Sequence, residues 1–573
     1  MLSRRIVRWI CFGGALWAAS IHAQTRSNEI CPRPAVGSTI SEPDDLRSQN
    51  GELKVELAIR RSMDQNGGTR YCYLDQYGHE SPNLRVHPGD RLILALKNDL
   101  PPAAVKDAMA MTSSSGAAAD LCAGAAMTAT STNLHFHGLA LPPVCHQDDV
   151  IRTSIEPGDP PFEYRGRIPT TQPPGLYWYH PHLHGFSKAQ VLGGASGALI
   201  IEGIEKVNQA AAGLPERVLV IRDQDLMNPN AAPLQVGSAP PAIVIRDREG
   251  DAINTGDGSG KPAKDLSLNF VPVPFPGYPP AVIQMKPGEQ QLWRVLNASA
   301  ITYLNLQVLV DGVPQILGVV GVDGVPLNQR GSTKTRILWE DHVGLAPAGR
   351  IEFLFKGPPA GIEATLVTRS VNTGPGGEND PTRPLATIVA AANAPEPVSK
   401  LPDSAETMTS SRLPWLGDVT PTRTRKLYFS EKLQDPNDPN SPTTFYLTVE
   451  GQTPKPFDPD STAPNIVVEQ GDVEDWIIEN RSQELHDFHI HQVHYLMLEW
   501  NGMAVNEPFL RDTVNVPYWD GKSAKYPSVK LRIDFRDPNI IGTFPYHCHL
   551  LEHEDGGMMG LVKVEPREPG RVP

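Results

Sequence analysis

The chain has 573 residues, 65 acidic against 51 basic side chains and a formal charge of −14, with 49 glycines and 56 prolines. Such a length holds three or four domains of about 150 residues each, and the acidic balance excludes a broad basic surface for nucleic acid or anionic membrane. Glycine and proline above average usage, at an ordinary 40% hydrophobic content, point to many turns and short strands rather than to disorder.

Residues 1–23 read as an export signal. Arg4, Arg5 and Arg8 precede the apolar run Trp9 to Ala19, and Ser20-Ile21-His22-Ala23 offers a small-residue cleavage site before Gln24. The run is too short to span a bilayer, and no later stretch is apolar enough for a transmembrane helix. A soluble, exported protein is expected, periplasmic or secreted, and Ser3 to Arg8 also fits a twin-arginine signal. Cys11 would leave with that segment, so Cys31, Cys72, Cys122, Cys145 and Cys548 remain. In an oxidising compartment Cys31 with Cys72 and Cys122 with Cys145 are the expected disulfides, since each pair stays within one candidate domain. Cys548 is left over.

Three stretches share one pattern: an extended run, a Pro-Gly-Asp, Pro-Gly-Glu or Gln-Gly-Asp turn, and a second strand ending on Asn. They are Leu84 to Asn98, Val282 to Asn297 and Ile466 to Asn480. Their spacing of roughly 190 residues predicts three related β-sandwich units, placed at 45–205, 206–400 and 420–566. Helical periodicity is scarce, so the fold is expected to be all-β. Asn393 to Asp418 has the composition of a surface linker. The stretch 103–132, with Met109, Met111 and Met127, reads either as a surface insertion packing its methionines or as a contact for substrate or Cu(I).

Of 17 histidines, thirteen lie in or beside four short clusters. These are His135-Phe136-His137; His180-Pro181-His182-Leu183-His184; His486-Asp487-Phe488-His489-Ile490-His491; and His547-Cys548-His549 with His553. On a strand, side chains two apart share a face, so each His-x-His pair can share or flank a metal ion. Neutral imidazole suits copper, zinc, iron or nickel. Cys548 decides among them: it points away from His547 and His549 and so serves a different ion. His553 and Met558 follow it closely, and His486 has the opposite parity from His489 and His491. Two imidazoles, one thiolate and a thioether make a blue-copper ligand set, whereas zinc has no use for the methionine.

With these four motifs in order, the chain resembles the multicopper oxidases, three-domain proteins built from cupredoxin-like Greek-key β-sandwiches. The resemblance implies four copper ions: type 1 held by His486, Cys548 and His553 with Met558 axial; type 2 by His135 and His489; and a type 3 pair by His137, His180, His182, His491, His547 and His549. It implies a copper-free middle domain acting as structural spacer and interface. Single electrons taken up near His486 would reach His547 and His549 through Cys548, and dioxygen would be reduced to two waters. Asp148 and Glu554 resemble the family's acidic proton carriers. Where many members have Pro and Gly, this chain has Asp487 and Gln492. Asp487, beside His486 in sequence, is expected to take a proton from a phenol or attract a metal cation. His184 falls outside the ten ligand histidine positions.

The expected activity is laccase-like oxidation of phenolic or aromatic reductants, because no long methionine-rich segment is visible. The alternative is a periplasmic metallo-oxidase acting on Cu(I), Fe(II) or Mn(II). A non-enzymatic copper protein would need only the type 1 set, and the other pairs argue against it.

Overall fold

The computed structural model describes residues 29–64, 67–102, 121–124, 127–233, 252, 254, 260–327, 337–403, 413–435, 441–461 and 463–567. The segment 1–23 and Met109 and Met111 lie outside the described residues. Strand makes up 44% and helix 5%, so the fold is all-β, as the alternating apolar pattern requires. No helix among the described residues is long and apolar enough to cross a membrane.

Among the described residues, six sheets pair into three sandwiches. The first combines a five-stranded sheet, Asp45–Arg47, Asn83–Val86, Gly197–Ile201, Gly175–His180 and His135–His137, with a four-stranded one, Thr69–Asp75, Glu52–Met63, Arg91–Asn98 and Phe162–Arg167. The second runs from Pro215–Gln224 to Ser399–Lys400, and the third from Arg423–Leu433 to Met559–Glu565. Cys31 is bonded to Cys72 and Cys122 to Cys145, while Cys548 is free and buried.

The repeated sequence pattern has one structural meaning in all three units. Asn83–Val86 and Arg91–Asn98, Ala281–Met285 and Gln290–Asn297, and Ile466–Glu469 and Val473–Asn480 each place the two strands around a glycine turn in opposite sheets. None is a hairpin; each strand pairs in parallel with a distant partner instead. The terminal asparagine stitches the following loop. Asn98, Asn297 and Asn480 each donate Nδ2 to loop carbonyls, and each accepts from the N–H two residues on. A buried amide that satisfies several orphan backbone groups at once explains why asparagine ends the strand.

Gly175–His180 is buried along its whole length, which hides the usual alternation. Tyr177 and Tyr179 face the first core, while Leu176 and Trp178 pack against Val218, Val220 and Leu296 of the middle unit. The third core runs from Leu427 and Phe429 through Phe488 to Cys548 and Met558.

Candidate metal centre

Two antiparallel strand pairs aim the histidines at one another. His135 lies opposite His180 where His135–His137 meets Gly175–His180. His489 lies opposite His547, and Phe488 opposite Cys548, where His486–Ile490 meets Gly542–Cys548. Period-two alternation then sends His489, His491, His547 and His549 to one face and His486 with Cys548 to the other.

On the second face, His486 Nδ1, His553 Nδ1 and Cys548 Sγ form a triangle with edges of 3.2, 3.6 and 3.7 Å. All three residues are buried, and Met558 is fully buried in the same core. Met559 lies outside that core, consistent with its opposite strand parity. The far edges of both imidazoles are anchored. His486 Nε2 donates to Ser482 Oγ (2.7 Å), whose hydroxyl donates in turn to Asn480 Oδ1, and it lies 2.9 Å from Glu431 Oε1. His553 Nε2 is 2.9 Å from Glu484 Oε1. Burial pushes His486 down to about 4, so its Nδ1 is held as a neutral donor.

On the first face, His135, His137, His180, His182, His489, His491, His547 and His549 converge, all of them buried. His182, His491 and His547 bring three nitrogens together, as do His135, His137 and His180. His137 stacks on His489 and His135 on His491, with ring centroids 3.9 and 3.8 Å apart. Burial, reinforced by neighbouring histidines, holds His137, His180, His182, His489, His491 and His549 far below the usual imidazole range. Burial takes His547 down to about 3.

The set fits copper on its own geometry. His135 Nδ1 is held by Asp148, His180 Nδ1 by Pro181 O and His489 Nδ1 by Asp512 O, at 2.8 to 3.1 Å. Their Nε2 atoms are buried without a hydrogen-bond partner. Fixing one ring nitrogen leaves the other as a lone-pair donor, and buried polar atoms are otherwise paired. Neutral imidazoles in one cluster and a His₂Cys triangle in another suit copper.

The expected proton carriers flank this cluster. Asp148 accepts from Phe136 N–H and Gln492 Nε2 while holding His135, which gives Gln492 a defined partner. Glu554 is fully buried, 3.2 Å from His547 Nδ1 and 3.7 Å from His182 Nε2. Burial, and next to it Asp555, pushes its carboxyl well above the usual range.

The expectation for Asp487 is corrected. It is wholly buried on the strand face away from His486, and burial with Asp323 and Asp512 nearby raises its carboxyl far above normal. No diffusing reductant can meet it there. Glu431 stands at His486 instead, brought from Arg423–Leu433 with its side chain 22% exposed. No local spacing marks it, since 55 residues separate it from its partner. Glu484 and Asp512 escaped sequence reading for the same reason. His184 packs against Phe457 at 4.9 Å, outside both ligand groups.

Comparison with known proteins agrees with this geometry. Two family models, both described as multicopper oxidase, match residues 125–206 and 434–568, the segments that carry the four histidine motifs. The chain belongs to the multicopper oxidase family. Multicopper oxidase mco of Staphylococcus aureus is 25% identical over 439 residues, covering 76% of this chain and 77% of that one. A solved multicopper oxidase of Campylobacter jejuni, described as a metallo-oxidase, superposes with a TM-score of 0.63 at 22% identity over 93% of this chain and 96% of that one. A laccase from Pediococcus acidilactici gives 0.61 at 20%, over 93% and 94%. This multicopper oxidase is a copper-dependent oxidoreductase with dioxygen as acceptor.

Proposed function

We propose that this oxidase is laccase-like and takes single electrons from phenolic or related aromatic reductants at the Cys548 site. The observation that carries the reading is Glu431, whose side chain is 22% exposed and whose Oε1 lies 2.9 Å from His486 Nε2. A phenol that gives up an electron must also release its proton, and a carboxylate at hydrogen-bonding distance of the accepting imidazole is placed to take it. Glu431 is thus the part of this site that solvent and a reductant can reach, while His486 itself is buried.

Four copper ions are proposed: one would be held by His486, Cys548, His553 and Met558, one by His135 and His489, and a pair by the remaining six histidines. Copper bound there would supply one-electron acceptance at the cysteine site and four-electron reduction of dioxygen to two waters at the histidine cluster. The chain supplies the rest. The tripeptide His547-Cys548-His549 links the two ligand sets through covalent bonds. Asp148 and Glu554 place carboxyl groups within reach of His135, His182 and His547.

Export is proposed from the 1–23 segment, with the two disulfides suiting an oxidising compartment. Finding the mature N-terminus at Gln24 by mass spectrometry would support it; an intact Met1 would refute it.

A second reading rests on charge. Glu431 and Glu484 each face one ligand histidine. Two carboxylates at the cysteine site suit a cationic reductant such as Cu(I), Fe(II) or Mn(II). Oxygen consumption by the copper-loaded protein with a phenol, Cu(I) and Fe(II) side by side, and copper counted on the same sample, separates the two. Preferred phenol turnover supports the laccase-like reading; strong preference for a metal ion replaces it with the metallo-oxidase.

A further inference from the structure

The middle sandwich carries no histidine of the copper clusters, yet it reaches the histidine cluster through two charged side chains. Arg350, at the start of Arg350–Lys356, is fully buried. Its Nη1 and Nη2 donate to Asp512 Oδ1 and Oδ2 at 2.6 Å each, its Nε donates to Leu176 O at 3.2 Å, and its Nη1 to Ala348 O at 3.0 Å. One guanidinium therefore ties together the strand that leads to His180, its own unit and the third sandwich.

Asp512 stands against the cluster on two sides. Its carbonyl accepts from His489 Nδ1 at 2.8 Å, and its Oδ1 lies 3.4 Å from His137 Nε2. A second middle-unit residue, Asp323, fixes the same backbone: its Oδ2 accepts from Asp512 N, Thr513 N and Thr513 Oγ1, and its Oδ1 from Arg350 N. The packing has no slack. Gly138, directly after His137 and at φ +87°, would place a Cβ 2.7 Å from Asp512 Oδ2 and 2.8 Å from Arg350 Nη2.

We propose that Arg350 and Asp323 are positioning residues of the oxygen-reducing cluster, acting through Asp512 to set the ring orientation of His489 and the place of His137. The middle unit is then a wall of that cluster rather than a spacer. A bidentate guanidinium holds a carboxylate in position and plane, whereas an ammonium supplies charge without the fork. Groups that orient a ligand histidine govern metal retention and activity. The inference rests on His137 and His489 being copper ligands.

The test is Arg350→Lys, which keeps the charge, beside Asp323→Asn, which keeps the shape. Copper per protein, the type 2 electron-paramagnetic-resonance signal and the blue absorption are measured on the holoenzyme. Expected in both variants are an altered or weakened type 2 signal and roughly 10- to 100-fold weaker retention of that copper, with the blue band unchanged per folded protein. A wild-type signal and copper content in both variants would overturn the proposal. So would loss of the type 2 and blue signals in equal proportion, which marks a fold defect alone. A wild-type protein fully loaded yet without any type 2 signal would overturn the ligand assignment itself.

Discussion

Glu431 Oε1 lies 2.9 Å from Nε2 of His486, the ring edge opposite the nitrogen that faces Cys548. The pair joins the proposed copper ligand to the surface, because the histidine is buried and the Glu431 side chain is partly exposed. Glu431→Gln keeps the shape and removes the proton acceptor. Phenol turnover is expected to fall roughly 100-fold or more at neutral pH, with the blue band retained. Steady-state oxygen consumption checks it; unchanged turnover would remove Glu431 from the reaction.

Cys548→Ala takes the only thiolate from the His486 and His553 triangle. Blue absorption and turnover are expected to disappear and copper content to drop by one ion. The fold should survive, at a cost of about 1–2 kcal/mol for a truncated core side chain. Retained blue colour would contradict the ligand set.

Asp148→Asn and Glu554→Gln replace the carboxylates that touch His135 and His547. Each is expected to slow oxygen reduction roughly 100-fold or more while leaving anaerobic bleaching of the blue band by reductant intact. Stopped-flow measurement of the two half-reactions separates them, and equal slowing of both would argue against a proton-carrying role.

Acid stability should depend on Glu216, which joins the first two sandwiches through Arg85 and Arg294. Burial opposes its ionisation, but Arg294 and Arg85 outweigh burial and hold its carboxyl down to about 2, against 4.5 ordinarily. A depressed carboxyl stabilises fully above its unfolded value and loses that contribution as pH falls toward its folded one. Thermal midpoints should therefore decline between about pH 4.5 and 2 through this group. Glu216→Gln should cost roughly 1–3 kcal/mol at neutral pH, since Arg85 and Arg294 lose one buried carboxylate while keeping Asp45, Glu202 and Glu352, and flatten the acid limb. An unchanged acid limb in the variant would exclude the link.

Copper removal by a chelator should lower the melting temperature, because the buried Nε2 atoms of His135, His180 and His489 have no other partner. Free copper at 100 times its dissociation constant would restore about 2.7 kcal/mol per site. Calorimetry of the apo and reloaded protein checks this.

What depends on short-range geometry was legible in the residues alone. Two-residue alternation placed Cys548 on the opposite strand face from His547 and His549, and the turn pattern ending on Asn98, Asn297 and Asn480 marked three related units. Those properties belong to a single strand or turn and need no partner to be read. The tertiary structure alone decided which strands meet. It sent the two strands of each repeated unit to opposite sheets, brought Glu431 rather than Asp487 to His486, and carried Arg350 across one domain boundary to Asp512 and across another to Leu176. Such pairs are separated by tens to hundreds of residues and are chosen by the packing of whole sheets, to which no local spacing responds.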